Sequence, residues 1–378
     1  MSKILYITPG CFDKGGISRY NRYQVSVLRE IKGENNIRVI SLFGPKREDF
    51  EEDFKVYWHG WGAGKVSKSF FILKILSQAY TWKPDVIWFG HINITEILAR
   101  FKFLTKFTSV LNIYGLEVWS GLRPKVEEGF KAINYLISDC HFTANYVQNQ
   151  NIRPKETIDV IWDCVDLNKF KPQALDDFYL NYNLPNPKHN PWILSLGRIS
   201  HIAAHKGYDR LLKVFQNLTK TNENAVLIFV GQGDLISDLR EQAKQLDIAG
   251  RVYFTGAVPE TDLAKFYSAA SVFTMVSDQG VGRGEGIPMT PLEAMACGTP
   301  VIVGNKDGSQ EAVIDDMNGS CIDPFDFETH TDVILELLDN TDLRLAKGKA
   351  AVKMAHDYFS YEDFKAKHLV FLNKLNLS

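Results

Sequence analysis

The sequence contains no Asp-x-Asp pair, no Gly-Lys-Ser/Thr phosphate loop and no Gly-x-Gly-x-x-Gly run. Without the first, and without any His/Cys group at zinc-ligand spacing, a carboxylate-chelated metal site has no visible ligands. Without the other two, the common nucleotide loops of kinases and dehydrogenases are excluded. A basic excess is missing as well. Lys and Arg number 43 against 45 Asp and Glu, a net charge of −2, which argues against nucleic acid as a partner. No run approaches the ~20 apolar residues that a membrane span needs. The five cysteines (Cys11, Cys140, Cys164, Cys297, Cys321) are odd in number and unpaired in spacing, as reduced thiols are. Internal repeats and low-complexity tracts are also absent. Met-Ser-Lys leads directly into Ile4-Leu5-Tyr6-Ile7, too short and interrupted for a signal peptide. The expected location is cytoplasmic, with peripheral contact at the inner face of a membrane through the apolar segment Val66–Trp82 and its neighbouring Lys65, Lys68 and Lys74. A helix buried against a sheet explains that segment equally well.

What is present is a long alternation of short apolar runs with longer amphipathic ones, the mark of parallel sheets with crossover helices. At 378 residues the chain exceeds a typical single core. The expected strands are 3–7, 37–43, 86–89, 109–113, 136–138 and 157–161, then 192–196, 225–230, 252–255, 272–275, 300–303 and 319–322. Helices are expected at 17–32, 67–81, 95–104, 125–135 and 144–150, then 207–220, 235–246, 261–268, 291–297, 327–338 and 361–375. Pro172, Pro185, Pro187 and Pro191 suit a linker. The expected domains are therefore 1–170, a linker 171–190, 191–358, and a last helix 359–378. Each half reads as a doubly wound unit, with ligands beyond the carboxyl ends of its strands.

Three clusters carry chemistry. Gly10-Cys11-Phe12-Asp13-Lys14-Gly15-Gly16 follows the first strand, and Gly15 and Gly16 let backbone approach a phosphate or sugar. Arg19, just beyond, suits an anionic ligand. Ser195-Leu196-Gly197-Arg198 closes the first strand of the second half, and Lys206 precedes the next helix; two cations there would neutralise a diphosphate. Glu285 and Glu293 stand eight apart, flanking an expected helix start in a glycine-rich loop (Gly280, Gly282, Gly284, Gly286). Carboxylates accept from sugar hydroxyls while helix N–H groups hold phosphate.

Taken in order, Gly15-Gly16, Gly197-Arg198 with Lys206-Gly207, Phe254-Thr255-Gly256-Ala257-Val258, the block Glu285 to Ala296 followed by Cys297-Gly298-Thr299-Pro300-Val301, Gly308-Ser309-Gln310-Glu311 and Asn318-Gly319 resemble glycosyltransferase family 4. The resemblance implies a GT-B fold: two Rossmann-like, doubly wound parallel-sheet domains facing across a cleft, with the C-terminal helix crossing back to the first. It implies a retaining, metal-independent hexosyltransferase without a cofactor. The donor would be UDP- or GDP-sugar and the acceptor a glycan or lipid-linked hydroxyl. By position, Glu285 would bond hydroxyls of the transferred sugar and Glu293 the ribose, and Arg198 and Lys206 would hold the diphosphate. Backbone from Gly286 through Ile287, Pro288 and Met289 to Thr290 would contact sugar and phosphate, with the loop Gly256–Val258 at the base.

The family's histidine near the sugar has no counterpart: Tyr114-Gly115-Leu116-Glu117 stands there. Tyr114 and Glu117, with Arg19, are candidate acceptor contacts. His91, at another strand end, is the nearest substitute and joins Glu285, Arg198 and Lys206 as a catalytic candidate. Two other readings stay open: a nucleotide-sugar-binding subunit without catalysis, and another GT-B enzyme such as an epimerase.

Overall fold

The computed structural model describes residues 2–13, 15–46, 54–150, 158–280, 283–314 and 316–376. Lys14 of the first glycine cluster, Thr157 at one expected strand start and Gly282 lie outside the described residues. The chain divides into two units, Met1–Cys164 with Tyr361–Ser378, and Val165–Ser360.

In the first unit the strands are β1 (Ile4–Thr8), β2 (Ile37–Ser41), β3 (Trp58–His59), β4 (Val86–Phe89), β5 (Thr108–Ile113), β6 (Tyr135–Ser138) and β7 (Ile158–Val160). They form one sheet in the order β3-β2-β1-β4-β5-β6-β7, and every pair is parallel. Alternate side chains go to opposite faces. Leu5, Ile7, Ile87 and Phe89 build one core, whereas Ile4, Tyr6, Val86 and Trp88 build another on the far side. The final helix, Tyr361–Lys374, supplies Phe364, Phe371 and Leu372 to that second core.

The second unit holds β8 (Trp192–Leu196), β9 (Val226–Val230), β10 (Val252–Phe254), β11 (Val272–Met275), β12 (Val301–Gly304) and β13 (Gly319–Ile322). The order is β10-β9-β8-β11-β12-β13, again parallel throughout. In both sheets the order reverses beside the first strand of the unit, the switch point at which such folds open a crevice.

Among the differences from the sequence reading, three bear on the architecture. The two-residue strand β3 is additional, as is a helix at Thr341–Phe359. The stretch 171–190 is no separate linker. Residues Asp177–Tyr182 form a 3-10 turn, and Phe178 is buried against Trp192 and Phe266 of the second unit.

Candidate active site

The first two crossovers of the second unit set the floor of the site. Gly197 and Gly231 end β8 and β9 and pass so closely that a Cβ on Gly231 would stand 1.9 Å from the Gly197 carbonyl oxygen. The next loop joins them, with Gly231 N–H donating to the Gly256 carbonyl at 2.9 Å. Gly256 has φ +73°, a conformation that glycine adopts without strain. Above this floor opens a cavity of about 680 Å³ lined by Gly197, Arg198, Gly231, Gln232, Gly233, Asp234, Ala257 and Val258, among others. Sequence reasoning found Arg198, Gly256 and Val258 but missed Gly231-Gln232-Gly233. Its signal was legible: glycines directly after a strand, where ligands sit.

Arg198 is exposed and makes no hydrogen bond or ion pair among the described residues. Lys206 runs beside Gly197, the residue before Arg198, its Cδ 3.7 Å from where a Cβ on Gly197 would lie. The two expected cations thus converge on the same glycine. Lys206 also reaches Glu285, far along the chain: its Nζ and the His205 Nε2 each stand 2.7 Å from Glu285 Oε1. Burial alone would raise the Glu285 carboxyl, but Lys206 and His205 outweigh it and hold the group at about 2. Glu285 is therefore a carboxylate at any physiological pH, and its Oε2 makes no hydrogen bond among the described residues. His205 went unassigned in the sequence, although it adjoins Lys206.

The backbone of Glu285 is fixed from behind. Its N–H donates to Asp307 Oδ2 at 3.0 Å, and its carbonyl accepts from Gly308 N–H at 2.9 Å. Asp307 is fully buried, with Oδ1 also accepting from the Ser309 N–H. The helix after Glu285 runs Met289–Ala296, two residues earlier than expected, capped by Pro288. Glu293 is consequently its fifth residue rather than part of its start. It is buried, and Oε2 accepts the Tyr267 hydroxyl at 2.8 Å. Pro288 has no N–H, so a backbone grip along Gly286–Thr290 excludes that residue; Ile287 is buried. Thr290 Oγ1 and Lys206 Nζ each lie 3.7 Å from Met275 Sδ, which brings the helix start to the lysine.

The first unit holds a separate cavity of about 340 Å³ lined by Gly10, Asp13, Gly15, Gly16, Ser18, Phe43 and His91, among others. Gly15 and Gly16 do open the Gly16–Lys32 helix. However, the Asp13 carboxylate takes the Gly15 N–H at 2.7 Å and the Ser18 hydroxyl at 2.6 Å. The Gly15 N–H expected to face a phosphate or sugar is thus taken up by the Asp13 carboxylate. Arg19 is half-buried in the first turn of the helix. His91 Nδ1 accepts the Asn93 N–H at 3.2 Å, leaving the proton on Nε2. Burial lowers its pKa to about 4, so the neutral ring offers a hydrogen-bond donor.

Tyr114 does not offer its hydroxyl to a ligand. It is buried, donates to Asn21 Oδ1 at 2.8 Å, and accepts from Asn112 Nδ2 at 3.1 Å, within a network that includes Tyr6 and Gln24. Glu117 Oε1 accepts the Tyr114 N–H at 2.6 Å and so caps the turn. Both are parts of the scaffold. Among the described residues no group of three or more His, Cys, Asp or Glu is placed to hold a metal ion, and no helix is long and apolar enough to cross a membrane.

Residues 182–354 match the family model described as glycosyl transferases group 1. A GDP-mannose-dependent alpha-(1-6)-phosphatidylinositol monomannoside mannosyltransferase of Mycobacterium tuberculosis is 27% identical over 296 residues, 76% of this chain and 75% of that protein. Among solved structures, sucrose-phosphate synthase from Thermosynechococcus elongatus superposes with a TM-score of 0.78 at 18% identity, covering 99% of both chains. Anabaena HepE, solved in complex with UDP, has a TM-score of 0.78 at 16% identity over 98% of this chain and 100% of its own. These likenesses agree with the family 4 resemblance of the motifs and with the two parallel sheets. The chain is a glycosyltransferase of the GT-B fold, and its residues 182–354 match the group 1 glycosyl transferases.

Proposed function

We propose that this enzyme transfers a hexose from UDP- or GDP-sugar to a hydroxyl of a glycan or lipid-linked acceptor, with retention and without a metal, in polysaccharide or glycoconjugate biosynthesis. We place it in the cytoplasm, peripheral to the inner face of the membrane. The observation that carries the reading is the exposed Arg198 lining the 680 Å³ cavity, with Lys206 close to Gly197, which lines the same cavity. Both nucleotides stay in the proposal because one relative is GDP-mannose-dependent and one solved neighbour holds UDP.

On this account the diphosphate lies across Gly197, neutralised by Arg198, Lys206 and the N-terminus of the Met289–Ala296 helix. Glu285 Oε2 accepts from a hydroxyl of the transferred sugar. As the bond to the anomeric carbon breaks, the leaving phosphate oxygen gains charge, which the two cations stabilise, and it takes the acceptor proton. His91 Nε2–H donates to a sugar or acceptor hydroxyl. Glu293 contacts the ribose by sharing its carboxylate with Tyr267.

The test is a panel of UDP- and GDP-hexoses with the product's anomeric configuration read by NMR, with and without EDTA. An inverted product sinks retention, and loss of turnover in EDTA sinks metal independence. Glu285→Ala should abolish transfer while nucleotide binding persists; near-normal turnover in that variant would remove Glu285 from the mechanism.

A further inference from the structure

The helix Lys65–Thr81 carries large apolar side chains on two opposite sides, yet only one of these sides is covered. Phe71, Ile75 and Ala79 pack into the core of the first unit. On the opposite side Val66, Phe70, Leu73 and Tyr80 are 62%, 47%, 59% and 78% exposed. These positions fall at the i, i+4, i+7 spacing of a single stripe. Trp61, 66% exposed, extends it beyond the helix start, its ring 5.7 Å from that of Phe70. Five large side chains left in water on one stripe need another surface to cover them.

The charges within the segment that carries the stripe have one sign. Residues 54–84 include Lys55, Lys65, Lys68, Lys74 and Lys83 and no Asp or Glu. Lys65 and Lys74 flank the stripe, roughly a quarter-turn to either side of it. Neither they nor Lys68 form an ion pair among the described residues. The acidic run Glu48–Asp53 precedes this segment in the sequence and lies outside the described residues. Aromatic and aliphatic tips rimmed by unpaired lysines match a bilayer interface: apolar groups enter the acyl boundary and ammonium groups meet anionic headgroups.

We propose that this stripe seats the chain on an anionic lipid surface, with Trp61, Phe70, Leu73 and Tyr80 inserted and Lys65 and Lys74 at the headgroups. The proposal turns the membrane placement given above into a defined surface, and it does not depend on the donor or the acceptor.

The experiment is co-sedimentation of the full chain with vesicles of phosphatidylcholine alone or mixed with phosphatidylglycerol, at low and high salt. The wild type should partition onto the mixed vesicles and come off as salt rises. Phe70→Ser with Leu73→Ser, both at exposed positions, should weaken partitioning by about tenfold or more. Lys65→Glu with Lys74→Glu should cost about fivefold or more per lysine on the anionic vesicles alone. Nucleotide-sugar hydrolysis in detergent-free buffer should be unchanged in both variants, so a failure of lipid binding is separable from a failure of the proposed reaction. Absence of wild-type binding to the mixed vesicles, or equal binding by the Phe70/Leu73 variant, overturns the proposal. A concentration-dependent dimer that this variant disperses would also overturn it, by giving the stripe to a second copy of the chain.

Discussion

Glu285 carries two partners on one oxygen and keeps the other oxygen open, and this division assigns work to each neighbour. In the proposed reaction Lys206 would serve both sugar and phosphates, because it is paired with Glu285 and adjacent to Gly197, whereas Arg198, with no ion pair among the described residues, would serve the ligand alone. The two cations should therefore fail differently. Arg198→Ala should leave thermal stability within about 0.5 kcal/mol of wild type, as for other surface changes, and lower the transfer rate about 10²–10³-fold. Lys206→Ala should lower the rate and also destabilise the fold by about 1–3 kcal/mol, since it strips a largely buried carboxylate of one partner. Melting temperatures and kcat/KM of the two variants check this; an equal loss of stability in both would contradict it. Glu285, Arg198 and Lys206 were legible in the sequence because spacing around strand ends and glycines is a local property. His205 and Asp307 were not. Each acts on Glu285 through a contact that only the fold creates, His205 from 80 residues upstream and Asp307 from 22 downstream.

At the scale of elements, most strands were readable, because a buried parallel strand is a short apolar run bounded by turn residues. The exceptions have physical reasons. β3 has two residues, too few to show a period. The Thr341–Phe359 helix buries Gly348, Ala351 and Ala355 along with Met354 and Phe359, and the three small residues weaken the apolar stripe that would mark it. Their smallness lets the helix lie close against the end of the Met289–Ala296 helix, the one that carries Glu293. A Cβ on Gly348 would stand 2.4 Å from the Gly298 carbonyl oxygen, a backbone atom that cannot step aside. Gly298 itself turns at φ +85° to end the helix. Gly348→Ala should therefore destabilise the second unit by about 1–3 kcal/mol despite alanine's better helix propensity. Chemical denaturation checks the sign, and a stabilised variant would show that the two helices are free to separate.

For the molecule as a whole, the prolines of residues 171–190 misplaced the boundary: they shape turns inside the second unit, while the chain changes unit at Cys164/Val165 and again at Ser360/Tyr361, where no proline or glycine marks it. What both units share is a buried neutral histidine. Burial lowers His91 and His368 in the first unit to about 4 and His330 in the second to about 3. The unfolded chain protonates each near 6.5, so between that pH and about 4 the unfolded state binds more protons and acid weakens the fold. Burial raises Glu117 and Asp307, which bind protons earlier in the folded state and act in the opposite direction. The contribution of one histidine is therefore best read as a difference. His368 accepts from Gln24 Nε2 and donates from Nδ1 to the Phe364 carbonyl, each at 2.8 Å, so neither nitrogen has room for a second proton. His368→Gln should be less stable than wild type by about 1–2 kcal/mol near neutral pH, through the lost hydrogen bond. As pH falls from about 6.5 toward 4, the wild type should lose about 1.4 kcal/mol per pH unit on account of this residue, and the variant nothing. The two stability curves should converge and then cross before about pH 4 is reached; parallel curves would mean that His368 titrates alike in the folded and unfolded chain.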